Sequence, residues 1–310
     1  MANRRNTLFY YSPFNFIREL KTAPQLELLT QARISGKPYL GVETPAGECC
    51  FYLEALAWDT AYFGLRTHKL QAVLYPKVSL AELAQACRTL VQHLADIGSQ
   101  YCFLEIPAED ILLIQALGIA GFKLVETRLT YYQNLTEYSH PERFAVRRAT
   151  EADTDDLQHV ARTMRNSFDR FHADPIFSPE KADEFLATYV QQSIRGFADV
   201  VLVPDCPGEA PGAFLTANYQ RELWPALGLP VAKMVLSAVS GASRQGWYKK
   251  LISEMSYHLR EQGAVYAFMN TQATNRAVFH TWESLGYRLG GTTHILSYSP
   301  GLEQIRSQCT

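Results

Sequence analysis

Residues 235–263 read VLSAVSGASRQGWYKKLISEMSYHLREQG, an apolar run that leads through small residues into a helical pattern. The run from Met234 to Val239 suits a half-buried strand. After the turn, one helical stripe is apolar and ends before Gly263; it comprises Leu251, Ile252, Met255 and Leu259. A helix start after small residues offers backbone N–H groups and the positive end of a dipole. This predicts either a phosphate-binding turn or an ordinary corner in which glycine only makes the bend.

A second pattern follows the helix. After a strand that ends at Asn270, apolar, aromatic and acidic residues recur at fixed spacing in Asn275, Val278, Trp282, Glu283, Leu285, Gly286 and Tyr287. This order and spacing resemble the closing motif of the GNAT superfamily of acyl-CoA N-acyltransferases. The resemblance implies that the upstream turn binds the diphosphate of acetyl-CoA or another acyl-CoA. The cofactor-binding residues that it implies are Ala238, Val239, Ser243, Arg244, Gln245, Gly246, Trp247, Tyr248, Lys249, Asn275, Phe279 and Trp282.

The chain departs from the family pattern at two places. In the diphosphate loop the family positions hold Ser243, Gly246 and Tyr248, so a phenol stands where a very small residue is usual. At the position of Trp282 many family members have a tyrosine that protonates the departing thiolate. An indole has an N–H group but cannot act as that acid. Tyr248 is therefore the candidate acid.

Composition excludes several classes of function. The 310 residues carry a net charge of -2, without a basic tract, so we expect no nucleic-acid partner. The six cysteines show no disulfide-framework or zinc spacing, and we expect no metal. The N-terminus has no signal-peptide pattern and the chain no long apolar span. We expect a cytoplasmic protein that does not insert into membranes, as a monomer or a homodimer.

The sequence also predicts two domains. The polar run from Thr136 to Glu142 suggests a boundary, giving domains 1–140 and 141–310. The segment that starts at Gly121 echoes the one that starts at Gly286, which indicates a degenerate duplication. The first half contains a capping box at Ser79 but no small-residue loop, so it should bind no coenzyme. The resemblance implies an α/β (α+β) two-domain GNAT fold, with a mixed, mostly antiparallel sheet, flanking helices and a partial GNAT-like N-terminal domain.

Two further segments bear on the acceptor. Residues 56–64 and 167–196 resemble two-domain GNAT enzymes that acetylate a dTDP-linked amino-deoxy sugar. This resemblance implies transfer of a short acyl group to that sugar's amine. The substrate-binding residues that it implies are Arg170, Phe171, His172, Trp58 and Phe63. The plainer interpretations are an aromatic staple for the segment with Trp58 and Phe63, a surface ion pair for Arg170, and packing for His172 beside Phe171.

The general base is His172 or Asp174 in this interpretation, because imidazole titrates near neutral pH; Asp169 and water are alternatives. Two other functions stay open. The chain could acylate another small amine or a peptide. It could also be a non-catalytic module that binds acyl-CoA or a nucleotide sugar.

Overall fold

The structure of the chain, a computed structural model, describes residues 11–12, 14–17, 20, 34–164, 166–241 and 246–300. The chain divides into two compact units. The first takes the described residues up to Arg128, with Ala173–Ile176 and residues 291–300. The second takes Leu129–His172 and Phe177–Gly290.

The first unit is a mixed sheet with a helical layer. In chain order it contains β1 (Tyr39–Thr44), β2 (Gly47–Ala55), α1 (Ala57–Phe63), β3 (Thr67–Leu74), α2 (Leu80–Asp96), β4 (Tyr101–Pro107), α3 (Ile111–Ile119), the first part of β5 (Lys123–Asn134) and the last part of β11 (Arg288–Tyr298). The strand order is β1-β2-β3-β4-β11-β5, and β3 and β4 are parallel. Apolar side chains of the sheet form a core with α2 and α3.

The second unit has helices on both faces of its sheet. It contains the end of β5, then β6 (Val146–Arg148), α4 (Thr154–Thr163), α5 (Arg170–Ala173), α6 (Pro179–Gln192), β7 (Val200–Pro204), β8 (Ala213–Asn218), α7 (Trp224–Leu227), β9 (Val231–Val239), α8 (Trp247–Glu261), β10 (Tyr266–Gln272), α9 (Arg276–Ser284) and the start of β11. The strand order is β5-β10-β9-β8-β7-β6. Helices α4 and α6 form a core with one face, and α8 and α9 with the other. The mixed, mostly antiparallel sheet with flanking helices is confirmed.

The division differs from the boundary predicted at residue 140. The polar segment after β5 is bound to α8, because the Tyr138 hydroxyl donates to Ser253 Oγ at 2.9 Å. Further along, the backbone N–H of His140 donates to the Tyr257 hydroxyl at 2.7 Å. The polar segment that suggested a boundary is therefore part of the second unit.

The order of elements repeats, in agreement with the predicted duplication. The series β3-α2-β4-α3-β5 matches β9-α8-β10-α9-β11. In each series the parallel pair is joined at three positions, and a lysine lies over a phenylalanine ring at the last of them. Lys69 is 5.7 Å from the ring centroid of Phe103, and Lys233 is 5.8 Å from that of Phe268. Within residues 34–164, 166–241 and 246–300, no helix combines the length and apolarity that crossing a membrane requires.

Candidate active site

Strands β9 and β10 diverge in the second unit. Their parallel pairing begins at Val231 with Tyr266 and ends at Lys233 with Phe268. Strand β9 continues to Val239, paired on its other side with β8. Backbone N–H groups that point away from β8 beyond Lys233 face this opening. The structure thus has an open strand edge that leads to the predicted cofactor residue Val239.

A β-bulge in β9 changes the direction of its side chains. Ser237 pairs with Leu215 and Met234 with Ala217, so two residues of β9 lie opposite the single residue Thr216. Before the bulge, Met234 faces the core with α8 and α9; Leu236 in the bulge and Ala238 after it contact the core with α4 and α6. A bulge re-aims side chains in this way, and such bulges are frequent beside active sites. As a result Ser237 and Val239 point toward α8.

Helix α8 begins without a side-chain cap. Its N-cap residue Gly246 has a φ of 74°, and no side chain within the described ranges bonds the first N–H groups. The first turn has no acidic residue, and it carries Lys249 and Lys250. Gly246 takes the left-handed conformation that glycine adopts at little cost. The predicted loop residues Ser243, Arg244 and Gln245 lie outside the described residues.

The matching helix of the first unit, α2, begins with a side-chain cap. At the start of α2 the Ser79 side chain accepts a hydrogen bond from the Glu82 N–H, and Glu82 binds back to the Ser79 N–H. A carboxylate and a hydroxyl thereby occupy the donors that an anion would use. Lys249 is the third residue of α8, as Glu82 is of α2. Of these two described helices, α8 has the start suited to a phosphate.

Tyr248, the candidate acid, lies in the first turn of α8 and packs against α9 and β9. Its hydroxyl oxygen accepts a hydrogen bond of 2.8 Å from the indole N–H of Trp282. Ser237 also hydrogen-bonds with that hydroxyl. Burial raises the pKa of Tyr248, and the hydrogen bonds of Trp282 and Ser237 oppose that rise. The phenol is therefore protonated at neutral pH, although the residue as a whole is only partly buried.

Helix α9 places the remaining predicted cofactor residues. Asn275 is its N-cap, and Phe279 stacks on Tyr131 with ring centroids 6.3 Å apart. Trp282 is buried and lies edge-on to Tyr131 at 5.4 Å. At the other predicted positions, Val239 and Trp247 pack against the same core, and Lys250 lies 4.9 Å from the Trp247 ring centroid. The structure brings Val239, Tyr248, Phe279 and Trp282 to one core and places Ala238 on the other side of β9.

The contacts of His172 do not favour its predicted role as general base. Its Nδ1 lies 2.8 Å from Asp169 Oδ2, and its Nε2 lies 3.0 Å from Asp183 Oδ1. Asp169, and then Asp183, raise the pKa of His172 against the effect of burial. An imidazolium that donates both N–H groups to carboxylates has no lone pair to accept a proton. His172 instead joins α5 to α6.

The contacts of Asp174 do not favour its predicted role as a base either. Its side chain is fully buried in the first unit. One carboxylate oxygen lies 2.7 Å from Lys123 Nζ, and the other accepts a hydrogen bond of 2.6 Å from the Ser297 hydroxyl. A carboxylate held in this way joins β5, β11 and the segment Ala173–Ile176.

Some of the predicted acceptor residues pack against other side chains, and others are exposed. Phe171 packs against Phe177 and Phe185, with ring centroids 5.4 Å and 4.5 Å away. The Arg170 guanidinium lies 4.3 Å from the Phe171 ring centroid. Just before α5, the Asn166 amide donates to Gln272 Oε1 at 2.6 Å. This hydrogen bond fixes the segment before α5 at the end of β10, beside the opening of β9.

Trp58 and Phe63 are in the first unit. Trp58 is 54% exposed and stacks on Tyr62 at 5.1 Å. Phe63, also predicted to contact substrate, is buried and edge-on to Tyr62 at 4.9 Å, which does not favour that role.

Sequence reasoning missed two parts of the site. Ser237 is a polar residue within an apolar strand, and this could have marked it. The bulge opposite Thr216 leaves no such mark, because it depends on the pairing with β8.

Comparison of the chain with protein-family models and with curated proteins gave no match. Solved structures are similar. A GCN5-related N-acetyltransferase from Sphaerobacter thermophilus is 12% identical, with a TM-score of 0.57 over 96% of this chain and 91% of that chain. A GNAT-family acetyltransferase from Colwellia psychrerythraea is 16% identical, with a TM-score of 0.50 over 96% and 95%. A glucosamine N-acetyltransferase region of a fungal multi-domain GH3 β-N-acetylglucosaminidase is 12% identical, with a TM-score of 0.57 over 93% of this chain and 36% of that chain. The chain has the GNAT fold.

Proposed function

We propose that the second unit binds an acyl-CoA and transfers its acyl group to a primary amine. The observation that carries this proposal is the combination of two features: the edge of β9 past Lys233, and the start of α8, which no described side chain caps. A diphosphate suits the N–H groups, the dipole and the two lysines of the first turn. The open edge of β9 suits the amide-bearing arm that follows the diphosphate in coenzyme A.

The reaction requires three things of the protein. Backbone N–H groups of β9 at the opening are suited to the oxyanion that forms when the amine attacks the thioester. As the C–N bond forms, the C–S bond breaks and its electron pair goes to sulfur. The sulfur then takes the proton of the Tyr248 phenol. The ammonium of the amine loses its proton to water, because His172 and Asp174 are both held in ion pairs. After attack the nitrogen loses a second proton to solvent as the amide forms, and solvent returns one proton to Tyr248. The ammonium and the thioester therefore give free thiol, amide and one released proton.

The proposed acceptor is the amine of a nucleotide-linked amino-deoxy sugar, with dTDP as the nucleotide. The resemblance of residues 56–64 and 167–196 to the enzyme that acetylates TDP-fucosamine supports this choice. The segment 167–172 follows Asn166, whose bond to Gln272 anchors it beside the opening. The fungal structural neighbour is described as a glucosamine N-acetyltransferase, so the fold accommodates an amino sugar.

Release of free thiol tests the proposal. Purified protein with acetyl-CoA is mixed with a dTDP-linked amino sugar, the free amino sugar, a peptide amine or a polyamine. We expect thiol release with the dTDP-linked sugar, at a kcat/KM at least about tenfold above that for the free sugar. That ratio corresponds to about 1.4 kcal/mol of binding to the nucleotide.

Calorimetry with coenzyme A separates the alternatives. Binding without thiol release from any acceptor would identify a binding module. Thiol release with the peptide or the polyamine alone would keep acyl transfer and replace the acceptor. Absence of both binding and thiol release would contradict the proposed function.

A further inference from the structure

We propose that Trp282 is a positioning residue that acts through Tyr248: its indole N–H holds the phenol at the open edge of β9 with the phenolic proton directed to the departing thiol. This inference rests on the proposed acyl transfer. It concerns the proton donor Tyr248, which lies at the start of α8 and is oriented by Trp282 on α9.

The direction of the Trp282–Tyr248 hydrogen bond is fixed by chemistry. An indole nitrogen only donates, so the Tyr248 oxygen accepts the bond of 2.8 Å. The phenolic proton is not used by this bond. A second tyrosine in place of Trp282 could reverse the bond and consume that proton.

Packing holds the donor in place. Trp282 is 3% exposed within the core of the second unit, where its ring lies edge-on to Tyr131. An indole ring that is buried in a core and packed against another aromatic ring has little freedom to turn. The position of the N–H is therefore set by the core, and the phenol follows it.

Ser237 places the phenol at the opening. The bulge opposite Thr216 turns Ser237 toward α8, where it hydrogen-bonds with the Tyr248 hydroxyl. Ser237 lies past Lys233, the last residue of β9 that pairs with β10. The phenol is thus held by one group on α9 and one on the open part of β9.

The hydrogen bonds also adjust the acid. Burial alone raises the pKa of Tyr248 and would make its proton harder to lose. Donation from Trp282 stabilises the phenolate that remains after transfer. Loss of the indole N–H should slow proton transfer without changing how acyl-CoA is bound.

The experiment compares four proteins: the wild type, Tyr248→Phe, Trp282→Phe and the double variant. With acetyl-CoA and the best acceptor, we expect kcat to fall about 100-fold in Tyr248→Phe. In Trp282→Phe we expect a fall of about fivefold, from one lost hydrogen bond. The KM for acetyl-CoA should change by less than about twofold. The double variant should be no slower than Tyr248→Phe, because Trp282 acts through the phenol.

A matched control separates this role from general packing. The indole N–H of Trp224 donates to the carbonyls of Tyr219 and Val231, at 3.0 Å and 2.8 Å. Trp224→Phe makes the same chemical change away from Tyr248, so it should lower the urea midpoint and keep kcat. Where Trp282→Phe does not fold, a 3-benzothienylalanine at position 282 keeps the ring shape and removes the N–H.

A donor with a more acidic thiol gives a second readout. With the acetyl thioester of p-nitrothiophenol, whose thiolate leaves without a proton, Tyr248→Phe and Trp282→Phe should react as fast as wild type. Equal losses on both donors, or additive losses in the double variant, would overturn the inference while acyl transfer stands. A wild type that releases no thiol with any acceptor overturns the proposed function and this inference together.

Discussion

The backbone N–H of Leu236 donates to the side-chain hydroxyl of Thr216 at 3.0 Å, in place of a backbone carbonyl. Thr216 is fully buried on β8, opposite the bulge of β9. This one hydroxyl therefore satisfies a backbone group that the bulge would otherwise leave unpaired. The same bulge turns Ser237 toward Tyr248, so a buried threonine supports the proposed site.

Thr216→Val keeps the side-chain shape and removes the hydroxyl. An unpaired buried N–H costs about 1–3 kcal/mol, so we expect the free energy of unfolding to fall by that amount. If the bulge shifts, Ser237 loses its place, and kcat should fall while the KM for acetyl-CoA changes little. Urea unfolding and thiol release measure the two effects. Thr216→Ser is the control that retains the hydroxyl, and equal behaviour of the two variants would exclude the role of this bond.

Lys249→Glu places a carboxylate at the third position of α8, where Glu82 stands in α2. A negative charge at that point satisfies the helix start and repels a diphosphate. We expect the free energy of coenzyme A binding to weaken by about 1 kcal/mol, which raises the Kd about fivefold. The change should be smaller at high salt. Calorimetry at low and high ionic strength measures it. Glu82→Lys in the first unit should leave the Kd unchanged; a similar change in both variants would place the coenzyme elsewhere.

His172→Gln tests the carboxylate pair around the imidazole. Because the pKa of His172 is raised in the folded protein, its stabilisation is complete below the unfolded value of about 6.5. It is lost as pH rises through the folded value. Wild type should therefore lose unfolding free energy above about pH 6.5, and the variant should lose less. Urea unfolding across this range measures the difference, and parallel curves for the two proteins would contradict the ion pair.

Asp174→Asn tests the buried carboxylate beside Lys123. Removing one partner of a buried pair costs about 3–5 kcal/mol, and the lower end applies because the Lys123 side chain is 33% exposed. We expect a lower urea midpoint and an unchanged kcat for the folded fraction. A lost kcat with an unchanged midpoint would return Asp174 to the catalytic groups.

Local pattern was sufficient to predict much of the second unit. The strand, helix and stop around Leu251 and Gly263 depend on periodicity within a few turns, and the structure has them as β9 and α8. The motif from Asn275 to Tyr287 likewise lies on one helix and the turn after it.

Contacts between distant segments were not predictable in this way. Asp183 lies on the next helix from His172, and Asp174 binds residues from the two strands β5 and β11. The roles of His172 and Asp174 as ion pairs depend on those partners, which no local spacing indicates. The bulge that aims Ser237 is also a property of two strands together.

A structure of the protein with coenzyme A tests the central claim most directly. We predict the diphosphate at the first turn of α8, the amide arm along β9 past Lys233, and the sulfur within hydrogen-bonding distance of the Tyr248 hydroxyl. A coenzyme bound away from α8, or a Tyr248 phenol that occupies the place of the amide arm, would contradict it.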